Sequence, residues 1–152
     1  MKRIVVALVL AGITGLSIAQ QTLKPEDMIH YRKAGLSFIS WNMGKIKANI
    51  DGSYDKDQVA VAANAVAAAA NSGLFASLFA PGTDKEIGGE KTRARPEVFQ
   101  QPDKFRDLGA ALAKEANELA KLAAAGDAAA VKGQFGKVAR SCKNCHDDFR
   151  KD

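Results

Sequence analysis

Aromatic residues make up only 7% of this 152-residue chain; cysteine occurs twice, histidine twice and proline four times. Two cysteines exclude a framework of several disulfides. Beyond the N-terminus there is no run of β-branched residues, and the abundant alanine favours helices over sheet. The cationic excess is small as well. The formal charge is +5, from 22 Lys and Arg against 17 Asp and Glu, and two of the cations, Lys2 and Arg3, lie in a segment read below as removed. Acids and bases are interspersed along the remainder, so there is no concentrated basic stripe to meet a phosphate backbone, and nucleic acid is not an expected partner. With 47% hydrophobic and 26% charged residues the chain is not a disordered one, and a single globular domain is expected.

What is present begins with a leader. Residues 1–19 combine Lys2 and Arg3, an apolar stretch from Ile4 to about Ile13, and the small residues Ser17 and Ala19 just before a cut. This is the pattern of a secretory signal peptide; it leaves a mature domain of residues 20–152, with the cut after Ala19 or Gln20. A spanning helix needs roughly 20 apolar residues, and here Gly12, Thr14, Gly15 and Ser17 interrupt the run. No later stretch is expected to cross a bilayer. The mature chain is therefore expected in the periplasm, without a membrane partner.

Four helical segments follow. Pro25, Glu26 and Asp27 open the first, whose Ile29, Arg32, Leu36, Ile39, Met43, Ile46 and Ile50 recur at alternating short spacings up to Asp51 and Gly52. Asp55 and Gln58 form a capping pair for the second, which the pattern extends to about Leu78 through Val59, Ala62, Val66, Ala69 and Gly73. The third starts near Pro102 and Asp103 and carries Phe105, Leu108, Leu112, Ala116, Leu119 and Ala123. Gly126 ends it and Asp127 caps the fourth, with Val131, Phe135, Val138, Cys142, Cys145 and Phe149 on one face. The predicted fold is all-α: an antiparallel up-down four-helix bundle. The connection between the second and third helices, from Phe79 to Gln101, is long enough to be functional or mobile.

Cys142-Lys143-Asn144-Cys145-His146 is a CxxCH sequence, which in an exported protein marks covalent c-type haem. On a helix, positions i, i+3 and i+4 share a face, so both sulfurs reach the two vinyl-derived carbons while the imidazole reaches the iron through Nε2. A redox-active disulfide would call for a βαβ context that the pattern lacks. Zinc would want four ligands, and the only other histidine, His30, lies on the first helix. One haem c, bonded to Cys142 and Cys145 and ligated by His146, is the favoured cofactor.

The CxxCH followed by Asp147-Asp148-Phe149-Arg150, the opening Lys24-Pro25-Glu26-Asp27 with Tyr31-Arg32, and the stretch Ala94-Arg95-Pro96-Glu97 together resemble cytochrome c′, a class II c-type cytochrome. The similarity spans essentially the whole mature chain, and cytochrome c′ is itself a standard example of the up-down bundle. The resemblance implies a five-coordinate, high-spin iron that binds nitric oxide and carbon monoxide, with no catalytic residue and with electron transfer as a second role. Low-spin relatives place a methionine four residues after the arginine, where this chain has Leu36. A six-coordinate electron-transfer cytochrome is the alternative. Met43 and Met28 lie about 10 and 12 Å along the axis from Leu36 and are read as packing, and His30, rotated by about 120° from it, as solvent-facing.

The same resemblance implies that Arg32 neutralises a haem propionate, the other reading being a side chain that snorkels to the bundle end. It also puts Lys33, Thr92 and Arg93, with Arg95, at the haem edge; Lys33 stands where relatives often carry Gln or Glu. Arg150, four residues after His146, is either a proximal-side contact or a cation at a helix C-terminus. A second stripe on the first helix, Tyr31, Ala34, Phe38, Trp41 and Ala48 broken by Lys45, predicts a homodimer surface, as in the family, or else packing beneath the long connection.

Overall fold

The computed structural model describes residues 23–152; the predicted signal peptide and its cut lie outside the described residues. Four long helices build the bundle: α1 (Pro25–Asp51), α2 (Lys56–Asn71), α5 (Pro102–Ala125) and α6 (Ala128–Phe149). Two single-turn helices, α3 (Leu74–Ser77) and α4 (Glu97–Gln100), lie in the long connection. Local chemistry sets the boundaries. Pro25 sits in the first turn of α1, and the Asp55 side chain accepts from Gln58 N at 3.0 Å. Gly126 (φ 86) turns left-handed, donating to Leu122 O and Ala123 O, and the Asp127 carboxylate accepts from Ala129 N and Ala130 N to start α6.

Neighbouring helices in the order α1, α2, α5, α6 pack along their lengths, whereas α1 and α6 meet only sparsely. The core holds Ile39, Ile46, Val59, Val66, Leu112, Leu119, Val131 and Val138, with small alanines of α2 and α5 between them. The α1 seam differs in detail from the sequence pattern: Leu36, Met43 and Ile50 are half-buried, while Asn42 and Asn49 are buried. Asn49 belongs inside because all of its amide is used. Its Nδ2 donates to Lys45 O and Gln58 Oε1, and its Oδ1 accepts from Asp55 N, which ties the end of α1 to the start of α2. Gln134 does the same between α6 and α5, donating to Glu115 O and Oε2.

The second helix is shorter than its pattern predicts. It stops at Asn71, Ser72 N caps it on Ala69 O, and Gly73 (φ 81) takes the left-handed turn that starts α3. Alanine periodicity hides such a stop, because Asn71-Ser72-Gly73 interrupts the helix without interrupting the apolar face. The break lays Leu74 directly on Gly35, where any Cβ would collide with the leucine side chain. The expectation that no mature stretch could span a bilayer also needs correction by composition alone. Lys56–Ser77 is long and apolar enough, although Val59, Ala62, Ala63 and Val66 are buried in the bundle core, which explains their hydropathy.

Candidate cofactor site

The last turns of α6 bring the predicted attachment residues together. Cys142 is half-buried against the bundle core, and Cys145 packs on a second cluster built from Val98, Phe105 and Phe149. No disulfide joins them. Burial pushes the Cys142 thiol up, and burial, with Cys142 and Asp148 adding to it, pushes Cys145 up to about 11. His146 lines a cleft of about 350 Å³ together with Arg93, Arg95 and Arg150. Partial desolvation first, then the Arg150 and Arg93 charges, hold its imidazole below the ordinary value, with Asp147 opposing. The Arg150 Nη1 lies 3.3 Å from His146 Nδ1.

A second group forms on the exposed start of α1 and the connection. Arg32 is 2% exposed, so it does not snorkel to solvent. Its Nη1 donates to Leu78 O at 3.1 Å and to Thr83 Oγ1 at 2.7 Å, and its Nη2 donates to Thr83 O and, at 2.7 Å, to Thr92 Oγ1. The guanidinium also lies 4.6 Å over the Phe79 ring. In this structure its partners are therefore oxygens of the connection. Lys33 Nζ pairs with Glu90 Oε2 at 2.7 Å and His30 Nδ1 with Glu90 Oε1 at 3.1 Å, which keeps His30 outward and holds the Glu90 carboxyl below its usual range. Leu36, one turn after Arg32, is half-buried beside the Gly35–Leu74 contact.

The two groups are joined by the segment from Thr92 to Arg95. Thr92 receives Arg32, while Arg93 O accepts from Lys151 N and Arg95 N donates to Phe149 O, so one short stretch spans from α1 to the end of α6. Next to it Phe75, Phe79, Phe105 and Phe149 form a chain of rings with neighbouring centroids 4.8 to 6.3 Å apart. Sequence reasoning missed Thr83, Glu90 and Phe79, all in the connection, where no periodicity marks a buried position.

These residues suit haem c. Two thiols one helical turn apart, an adjacent imidazole biased to its neutral form, cations beside it and an aromatic wall match the macrocycle, its iron and its carboxylates. Among the described residues no three His, Cys, Asp or Glu side chains gather to hold a bare ion, so a lone histidine suits a metal that a porphyrin already binds. α1, which carries Leu36, and α6, which carries the Cys142–His146 turn, meet only sparsely.

Comparison with known proteins agrees. A family model described as Cytochrome C′ matches residues 27–150. The chain is 47% identical over 150 residues to cytochrome c′ of Allochromatium vinosum, covering 96% of this chain and 97% of the relative. The crystal structure of cytochrome c′ from Thermochromatium tepidum superposes with a TM-score of 0.84 at 52% identity, over 86% of this chain and 99% of that one. A cytochrome c′ with an unusual ligand-controlled dimer dissociation gives 0.83 at 49% identity, over 86% and 98%. With a CxxCH on the last helix of a four-helix bundle and relatives this similar over nearly their full length, the chain belongs to the cytochrome c′ family of haem c proteins.

Proposed function

We propose that residues 20–152 form an exported, periplasmic haem domain whose five-coordinate iron binds nitric oxide and carbon monoxide and exchanges single electrons. Cys142 and Cys145 would hold the porphyrin on α6 through thioether bonds, and His146 Nε2 would ligate its iron. When bound, the group supplies a ferrous iron with one vacant position for a neutral diatomic. The chain's own side chains hold that group and decide what reaches it.

The observation that carries this reading is Leu36. An alkyl side chain has no lone pair to offer iron, and it stands one turn beyond Arg32 on the helix facing α6. Of the α1 side chains able to ligate, Met43 packs on the bundle core and His30 bonds Glu90. On the other side, His146 must be neutral to bind, and the cations around it favour that state. With iron on Nε2 the proton would sit on Nδ1, to which Arg150 could not donate, and this guanidinium would be free to turn from the ring. Arg93 and Arg150 are then placed to meet the haem carboxylates, while Arg32, Lys33 and Thr92 hold the connection over the haem edge.

A homodimer through α1 completes the proposal. Tyr31, Phe38 and Trp41 are 51%, 46% and 60% exposed on one stripe, outside the connection rather than beneath it, and Lys45 Nζ lies 4.4 Å over the Trp41 ring. The relative with ligand-controlled dimer dissociation supports a dimer. The optical spectrum of the reduced protein tests the coordination. Before any gas is added it is expected to lack a sharp, intense α band, and carbon monoxide should then change it; a sharp band at the outset would establish the six-coordinate alternative. Periplasmic fractionation with an N-terminus at Gln20 or Gln21 tests export.

A further inference from the structure

The end of α6 and the end of the connection are stitched together by an antiparallel bridge that pairs Ala94 with Arg150. Its bonds run from Arg95 N to Phe149 O at 2.9 Å and from Lys151 N to Arg93 O at 2.7 Å. This backbone pairing sets four cations, Arg93, Arg95, Arg150 and Lys151, around the cleft that holds His146. Asp147 and Asp152 also line it, and Asp147 already pairs with Lys143 Nζ at 2.5 Å. Arg95 and Lys151 are anchored on backbone carbonyls, Asp147 O at 3.3 Å and Asp84 O at 2.9 Å. A carbonyl holds a cation in place without cancelling its charge, so Arg95 and Lys151 stay available to a partner when Arg93 and Arg150 meet the haem carboxylates. Among the described residues no carboxylate lies within ion-pair distance of any of the four, whereas Lys33, Lys47, Lys104 and Arg106 each have one.

We propose that this face docks an acidic electron-carrier protein. The inference rests on the haem reading above: His146, the ligand proposed for the iron, is the exposed member of the attachment set, Cys142 and Cys145 being half-buried, and it lines this cleft, so a partner seated here lies against it. Docking leads to transfer of one electron, the carrier being oxidised and ferric iron reduced to ferrous, with no bond formed or broken. Diatomics would enter on the Leu36 side, electrons on this one. Carboxylates at the rim, Asp147 and Asp152, suit a protein surface of mixed sign better than a continuous sheet of anionic lipid, which would repel them.

Oxidised flavodoxin, a small acidic one-electron carrier, serves as the probe, titrated calorimetrically into the haem-loaded protein. Binding is expected to weaken about tenfold between about 10 and about 200 mM salt, as the Debye length shortens. Arg95→Glu with Lys151→Glu should weaken it by about tenfold at low salt, and Arg95→Gln with Lys151→Gln by less in the same direction. Lys121→Glu with Lys132→Glu, the same charge change at the opposite end of the bundle, should leave it within about twofold. An equal loss in that control, or no loss in either patch variant, overturns the proposal. So does competition by phosphatidylglycerol vesicles that bind the protein more tightly than flavodoxin does. Haem content and the ferric spectrum of each variant are read separately: a chain without covalent haem refutes the cofactor reading, and intact haem with no localised binding refutes only the docking face.

Discussion

Replacing Arg32 by methionine keeps the length of a buried side chain and deletes its guanidinium, and the structure sets the size of the effect. Four acceptors lose a donor: Leu78 O, Thr83 Oγ1, Thr83 O and Thr92 Oγ1. The two hydroxyls keep other partners, since Thr83 Oγ1 donates to Ala80 O and Thr92 Oγ1 accepts from Ala94 N. The two carbonyls do not keep theirs, and an unsatisfied buried carbonyl costs roughly 1–3 kcal/mol. Against this, burial lowers the pKa of Arg32, so part of the loss is offset by no longer desolvating a cation. The net destabilisation is about 2–4 kcal/mol, or a fall of about 6–15 °C in Tm for a domain of this size. Urea unfolding followed by circular dichroism measures the first figure, and hydrogen exchange should show residues 78–95 opening while α2 and α5 stay protected. If Arg32 holds the connection, the loss appears with and without haem. A loss confined to the haem-bound protein, with exchange in 78–95 unchanged, would refute this reasoning in favour of propionate neutralisation.

Leu36→Ala should raise the carbon monoxide association rate of the ferrous protein about tenfold, equivalent to roughly 1.4 kcal/mol of steric barrier; flash photolysis giving an unchanged rate would mean that Leu36 does not shield the iron. Trp41→Glu puts a charge on the exposed α1 stripe and should shift sedimentation to the monomer. Glu90→Gln removes a carboxyl held below its usual range by Lys33 and His30. A depressed folded-state pKa contributes stability at neutral pH that is lost as pH falls through that value, so the gap between wild type and variant should close in acid. Gly44→Ala, where nothing lies within 4 Å of the new Cβ, should stabilise by about 0.5–1 kcal/mol in thermal melts. Gly35→Ala, which drives into Leu74, should destabilise by about 1–2 kcal/mol.

The opposite signs expected at these two glycines show what a sequence carries and what it does not. Both sit inside α1, and nothing local distinguishes them; only the docking of α3 does. The long helices were legible because their ends are written in nearby residues, Pro25, Asp55, Gly126 and Asp127, and their faces in a repeat that the core then buries. The triad proposed for attachment, Cys142, Cys145 and His146, was legible for the same reason, since its spacing sets the three on one stretch of α6. Arg32 marks the boundary. Its place on an apolar seam announces a buried cation in need of partners, but the partners observed come from Leu78, Thr83 and Thr92, far along the chain. Periodicity reports the face on which a residue lies and is silent about which distant loop covers it. The cationic cleft is a stronger case, because neither Arg93 and Arg95 nor Arg150 and Lys151 form a patch alone. A single backbone bridge makes them one surface, beside His146.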